Sequence, residues 1–360
     1  MQIGIVCKVI DNFGDAGFCL RLAKALALQG KQITLLHDNA ATFDALYPEQ
    51  NVPGLKILDA TLGLDESDVA RRFDLLLEPF GSSSEQTHNR FDLWLKNAHP
   101  NTPWLLIDYL SSEGWVENFH LNSSTDPRTG HVTTYFYPGF TAKTGGLIHC
   151  DYPAYLRTEA RNFEANCLKL FVFAYPNAPL LELLQACETD NGSGKKIQVG
   201  LADWKAHASE LAQGFHCLTT LPFCPQGEFD ELLAQYDVLF VRGEDSFVRA
   251  QLAGKPLIWQ IYPTTDNAHV CKLASFFALY SEGLSNECAS ALWNCWSSWN
   301  KLKDSANFSD CWKQLSMYWP ELQTHAQCWQ ARLFAGPELV KEVLTWRSEQ
   351  TPTLIEKPDL

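Results

Sequence analysis

The chain has 360 residues, of which 46% are hydrophobic and 19% charged, with a formal net charge of -14. At roughly 150 residues per domain this length fits about two domains, each able to bury a full core. The acidic balance excludes a sequence-independent grip on nucleic acid, which needs clustered Lys and Arg, and no run of about 18 apolar residues marks a membrane span.

From Met1 the chain runs directly into Ile3 to Val9, an apolar segment that reads as a buried first strand. No basic n-region or apolar h-region precedes it, so the expected compartment is cytoplasmic. The loop Asp11-Asn12-Phe13-Gly14-Asp15-Ala16-Gly17 follows and opens a helix with Phe18, Leu22, Ala25 and Leu26 on one face and Gly30 as its C-terminal cap. Further strands are predicted at Ile33 to Leu36, Leu75 to Phe80, Trp104 to Tyr109 and Thr133 to Phe136, with helices around Ala40 to Leu46 and Arg90 to Lys96. A less regular stretch, Gly145 to about Arg161, separates this half from a second alternating half. Its strands are predicted at Leu168 to Ala174, Lys196 to Gly200, Phe215 to Leu218, Asp237 to Val241 and Leu257 to Ile261, and its helices at Leu180 to Ala186, Trp204 to Ala212 and Phe229 to Ala234. Apolar runs alternating with helical periodicity are the pattern of parallel sheets covered on both faces. The fold class is therefore α/β, as two doubly wound units joined by a linker and facing a cleft.

Beyond about Asn267 the pattern is helical and rich in tryptophan; Trp293, Trp296 and Trp299 recur at helical spacing, which predicts helix packing. The last helix, roughly Pro337 to Arg347, is expected across the domain junction, and the tail from Thr351 to Leu360 is expected to fray. The 12 cysteines form no C-x-x-C pair and lie in apolar segments, so they read as reduced core thiols. No H-x-x-x-H or H-E-x-x-H pair occurs, so no metal is expected. Gly192-Ser193-Gly194-Lys195-Lys196 lacks the first glycine of a P-loop and reads as a turn.

Two loops carry chemistry, since each ends a strand and starts a helix, where unpaired N–H groups and the helix dipole face a ligand. The first places Asp11 and Asp15 four residues apart with no fixed cation, which suits a positively charged reactant. The second, Arg242-Gly243-Glu244-Asp245-Ser246, pairs a cation with a helix start able to take phosphate oxygens. Taken singly, Asp11 or Asp245 is more often an N-cap and Phe223 more often a core ring, and Arg242 beside Glu244 could form a simple surface ion pair.

The chain resembles the elongation factor P arginine rhamnosyltransferases, which have glycosyltransferase-B (GT-B) architecture. The matching stretches are the Asp11 to Gly17 loop with Arg21-Leu22-Ala23, Tyr109-Leu110-Ser111-Ser112-Glu113, Tyr137-Pro138-Gly139-Phe140-Thr141 with Thr144-Gly145-Gly146, the Arg242 to Ser246 loop, and Ile261-Tyr262-Pro263 with Asp266-Asn267-Ala268-His269. Five in order are specific where any one would be weak. The resemblance implies two Rossmann-like domains: residues 1–155, joined by a helix at about 337–350, for the acceptor, and 165–335 for the nucleotide sugar. It implies metal-independent, inverting transfer of rhamnose from dTDP-β-L-rhamnose to an arginine of elongation factor P, with no cofactor. Asp15 would be the general base, with Asp11 and Glu244 assisting. Arg242, Asp245 and Ser246 would hold the diphosphate, Phe223 and Gln226 the base, and Phe173, Tyr175 and Tyr262 further parts of the donor. Left open are a glycosyltransferase with another nucleotide sugar and a small acceptor, and a non-catalytic adaptor for a translation factor.

Overall fold

Strand β1 (Gln2–Cys7) is apolar and almost wholly buried, the signature of a parallel sheet covered on both faces. It pairs in parallel with β2 (Gln32–His37) on one side and β4 (Leu75–Pro79) on the other. With β3 (Leu55–Asp59), β5 (Trp104–Ile107), β6 (Ser123–Thr125) and β7 (Val132–Phe136) they form a seven-stranded sheet in the order β3-β2-β1-β4-β5-β7-β6, antiparallel only at the β6 edge. A second, five-stranded parallel sheet has the order β10-β9-β8-β11-β12, built from β8 (Cys167–Val172), β9 (Lys196–Leu201), β10 (Leu218–Thr220), β11 (Val238–Arg242) and β12 (Leu257–Gln260). This is a computed structural model describing residues 1–10, 13–49, 51–62, 72–81, 91–127, 129–157, 166–189, 194–202 and 214–350.

In each sheet the strand order reverses beside the first strand of the unit, between β1 and β4 and between β8 and β11. Chains leaving the sheet to opposite sides there open a crevice at the strands' carboxyl ends. Helix α1 (Phe13–Leu28) starts at one such crevice, after β1. Asp11 and Asn12 lie outside the described residues. Among the helices that follow are α2 (Ala40–Leu46), α3 (Phe91–Ala98), α4 (Val116–Phe119), α5 (Leu180–Glu188) and α6 (Phe229–Ala234). Helix α7 (Asp245–Leu252) starts at the second crevice, after β11.

Helices α8 (Ala268–Tyr280), α9 (Asn286–Trp299), α10 (Phe308–Leu315) and α11 (Trp319–Ala335) then build an aromatic layer on the second sheet. Trp296 and Trp299 are buried in it and Trp293 packs half-buried against it, the packing role their helical spacing predicts; Trp312, Trp319 and Trp329 are buried there too, and Phe247 stacks on Trp259 with ring centroids 3.8 Å apart. Helix α12 (Leu339–Glu349) returns to the first unit, where Leu339, Val340, Val343 and Trp346 complete the core containing β1 and α1. Its apolar face is thus committed to that core.

Several boundaries differ from the sequence reading. β1 ends at Cys7, because Val9 N–H is taken by the Asp38 carboxylate at 3.0 Å and Ile10 N–H by Asp15 at 2.8 Å, leaving neither for a ladder. The third strand of the second sheet is Leu218–Thr220 rather than Phe215 to Leu218, since its register is set by pairing with β9. Strands β3 and β6 had no place in the sequence reading. Cys150, Cys271 and Cys328 are exposed, so the reading of every cysteine as a core thiol is corrected. Arg90, the expected helix at Trp204 to Ala212, Gly192, Ser193 and the tail from Thr351 lie outside the described residues.

Candidate active site

Asp15 sits in the first turn of α1, where a carboxylate is favoured by the helix dipole, and it is 2% exposed. Its Oδ2 accepts the Ile10 N–H, drawing the loop back over the helix start. Across the cleft, Gly243 adopts a φ of +63°, a conformation side chains resist, and turns the chain from β11 into α7. Trp259 Nε1–H donates to the Gly243 carbonyl at 2.9 Å, and Ser246 Oγ–H donates to the Arg242 carbonyl at 2.5 Å. The turn that carries Glu244 is therefore held from both sides.

Glu244 caps α7 without a side-chain bond to its helix. One carboxylate oxygen instead accepts the Leu110 N–H from the loop after β5, and the other lies 3.7 Å from Lys272 Nζ on α8. Burial pushes the Glu244 pKa up, while Lys272 and the Leu110 amide pull it down and the charges of Asp15 and Asp108 push it up. Asp15 and Glu244, from opposite units, line one cavity of about 670 Å³ with Tyr109, Glu113, Trp115, Tyr262, His269 and Lys272.

A smaller cavity of about 50 Å³ adjoins it through the shared Gly14 and Gly243. Phe173, Gln226, Arg242, Asp245 and Ser246 line it, so five of the expected donor residues converge there. The Arg242 guanidinium lies over the Phe173 and Tyr175 rings, 4.2 and 4.5 Å from their centroids. Tyr175 meets Tyr262 edge to face at 5.6 Å. Phe223 is outside both cavity linings and packs at 5.2 Å against Phe13 of α1. Gln226 Nε2–H donates to the Gly17 carbonyl of α1 at 2.6 Å, and its buried Oε1 has no hydrogen-bond partner.

The Asp245 carboxylate does not face the smaller cavity as a free group, because Arg21 of α1 takes both of its oxygens, at 2.8 and 3.2 Å. What Asp245 offers an anion is its backbone amide at the helix start. The two helices meet closely here, yet a Cβ at Gly17 would stand 3.4 Å from Asp245 Oδ2, an ordinary contact, so the approach does not itself require glycine. The sequence reading also missed Gln260, whose buried carboxamide accepts the Tyr175 N–H at 2.7 Å and donates to Asn177 Oδ1 at 2.9 Å, shaping the loop after β8. Lys272 was missed as well; neither residue stands in a motif, and only their distances reveal them. Among the described residues no group of three or more His, Cys, Asp or Glu side chains is placed to hold a metal ion, and no helix is long and apolar enough to cross a membrane.

A two-unit α/β fold is shared with solved glycosyltransferases. The structure solved for EarP-mediated arginine glycosylation of translation elongation factor EF-P matches with a TM-score of 0.59 and 24% identity, over 97% of this chain and 99% of that one. The spinosyn rhamnosyltransferase SpnG matches with a TM-score of 0.55 and 12% identity, over 96% of this chain and 100% of that one. In sequence, the protein-arginine rhamnosyltransferase of Pseudomonas putida is 32% identical over 93% of this chain and 95% of its own length. That of Neisseria meningitidis is 32% identical over 96% of each. The family model described as Elongation-Factor P (EF-P) rhamnosyltransferase EarP matches residues 3–348, and the chain belongs to that family.

Proposed function

We propose that this protein transfers rhamnose from dTDP-β-L-rhamnose to an arginine side chain of elongation factor P, with Asp15 as general base. The observation that carries the reading is that Asp15 and Glu244, from opposite units, line one cavity whose neighbour is built of Arg242 and the start of α7. A guanidinium has a pKa above about 12 and delocalised lone pairs, so it is a poor nucleophile in water. Hydrogen bonds from its planar fork to two carboxylates orient one terminal nitrogen and localise electron density on it. As that nitrogen forms its bond to the sugar C1, the C1–oxygen bond to the diphosphate breaks and the nitrogen's proton passes to the Asp15 carboxylate. Attack from the face opposite dTDP inverts the β donor to an α-linked product.

Negative charge growing on dTDP is met by the amides at the start of α7 and by Arg242, a stabilisation that needs no metal or cofactor. Phe223 and Gln226 take the base, and Phe173, Tyr175 and Tyr262 flank the rest of the donor. Asp11 keeps the assisting role that the family resemblance gives it. The acidic first crevice suits the cationic acceptor, the second the anionic donor.

Incubation of elongation factor P with the enzyme and dTDP-rhamnose should add a single deoxyhexose by intact mass. Asp15→Asn should keep its dTDP affinity in calorimetry while transfer falls by about 10²–10⁴, the usual worth of a general base. An unmodified acceptor would overturn the reaction; lost dTDP affinity in the variant would overturn the role of Asp15.

A further inference from the structure

Resting on the reaction proposed above, we propose that Lys272 is a positioning residue for transfer: lodged between the Tyr109 ring and Glu244, its ammonium holds that carboxylate charged and aimed into the acceptor cavity. Helix α8 fixes where this cation stands. Leu273, Phe276 and Tyr280 recur on its buried face and lock it into the aromatic layer, Phe276 lying 4.7 Å from Phe247 and 5.7 Å from Trp259. Ala268, His269, Cys271 and Lys272, all at its N-terminal end, line the cavity. Lys272 Nζ reaches 3.7 Å from Glu244 Oε2 and 5.3 Å from the Tyr109 centroid, with its side chain only 21% exposed.

The contact belongs to a seam between the two units. The loop after β5 places Tyr109 under Lys272, donates the Leu110 N–H to Glu244, and brings Ser112 Oγ to 3.2 Å from Ser275 Oγ on α8. Glu244 is thereby gripped by one amide and one ammonium, while burial and two neighbouring carboxylates oppose its charge. Asp15 from α1 and Asp108 from the end of β5 are like charges, and Glu113 of the same loop lines the cavity too. His269, one turn before Lys272, accepts the Thr264 N–H at Nδ1, 3.1 Å away. Arg242 is turned onto Phe173 and Tyr175, and Lys272 is a cation that acts on Glu244. A protonated Glu244 could not accept both N–H groups of a guanidinium edge, so the ammonium decides whether the acceptor is gripped by two carboxylates or one.

The test is the pH dependence of transfer in Lys272→Met and Lys272→Arg. In Lys272→Met the acid limb of kcat moves to higher pH, so that roughly tenfold activity is lost at the low-pH side per unit moved and recovered at alkaline pH, with dTDP affinity unchanged. Lys272→Arg restores the wild-type limb. A wild-type pH profile in Lys272→Met, whether kcat is lowered or not, overturns the proposal. A second readout needs no turnover: the Glu244 side-chain carbon, labelled with ¹³C and assigned against Glu244→Gln, titrates at higher pH in Lys272→Met, and an unmoved midpoint overturns the proposal. Failure of the wild-type enzyme to transfer rhamnose would sink the reaction itself and leave this titration to judge Lys272.

Discussion

Phe223 packs against Phe13, with centroids 5.2 Å apart and planes tilted by 45°. A base entering the small cavity would meet Phe13, the ring that Phe223 packs against from outside the lining, and the buried, partnerless Oε1 of Gln226. Stacking of a base on an aromatic ring contributes about 1–3 kcal/mol, so Phe223→Ala should raise the dTDP Kd on the order of tenfold in calorimetry. An unchanged Kd would return Phe223 to a packing role against the first core, where it also has contacts. Single residues also show the limit of motif reading. Asp245 stands in the Arg242 to Ser246 loop in the right place for an anion, yet its carboxylate pairs with Arg21, 224 residues away in sequence. Lys272 stands in no motif and faces Glu244.

Helix α12 is tied to the first unit by backbone. Leu147 N–H donates to the Pro337 carbonyl at 3.2 Å, and Leu339 N–H donates to the Leu147 carbonyl at 2.9 Å, a short parallel bridge just before the helix. Gly146, at φ +69°, allows it: a Cβ there would stand 2.1 Å from the Pro337 carbonyl oxygen. Gly146→Ala therefore meets both backbone strain and a clash, and should lower stability by at least about 1–3 kcal/mol. The expected observation is a lower Tm together with faster hydrogen exchange at the Leu339 amide; wild-type exchange there would show that the bridge does not hold α12. At this scale the central strands were legible because continuous apolar runs are a local signal. The edges were not. Ser123-Ser124-Thr125 of β6 has no apolar residue, and its three residues are exposed, so only antiparallel pairing with β7 makes it a strand.

Across the whole molecule, a buried charge network joins the two units. Arg21 of α1 reaches Asp245 and Asp151, each at 2.8 Å; Arg249 of α7 reaches Asp151 at 2.9 Å and also pairs with Asp230 of α6. Removing one cation strands buried carboxylates, which typically costs about 3–5 kcal/mol, so Arg249→Met should be strongly destabilised in urea unfolding. Near-wild-type stability would assign Arg249 no such role. Despite its burial, Arg21 and Arg249 hold the Asp151 carboxyl down at about 2. A depressed carboxylate contributes stability above its unfolded value of about 3.9 and loses it as pH falls through the folded value, so the contribution fades between about pH 4 and pH 2. In Asp151→Asn that part of the Tm profile should flatten; an unchanged slope would place the acid transition elsewhere.

Local pattern determined what could be read without coordinates: alternating apolar runs gave two α/β units, and two strand-to-helix loops gave the places where ligands would meet helix starts. These signals survive in one dimension because burial of a strand and the opening of a helix depend on neighbours a few residues away. Tertiary structure alone decided that Asp15 and Glu244 share a cavity, that Asp245 belongs to Arg21, and that Lys272 and Leu110 hold Glu244. The meetings of Asp15 with Glu244, Arg21 with Asp245 and Leu110 with Glu244 join residues from different sheets, at distances set by how the two units close on each other, while Lys272 reaches Glu244 from a later helix of the same unit.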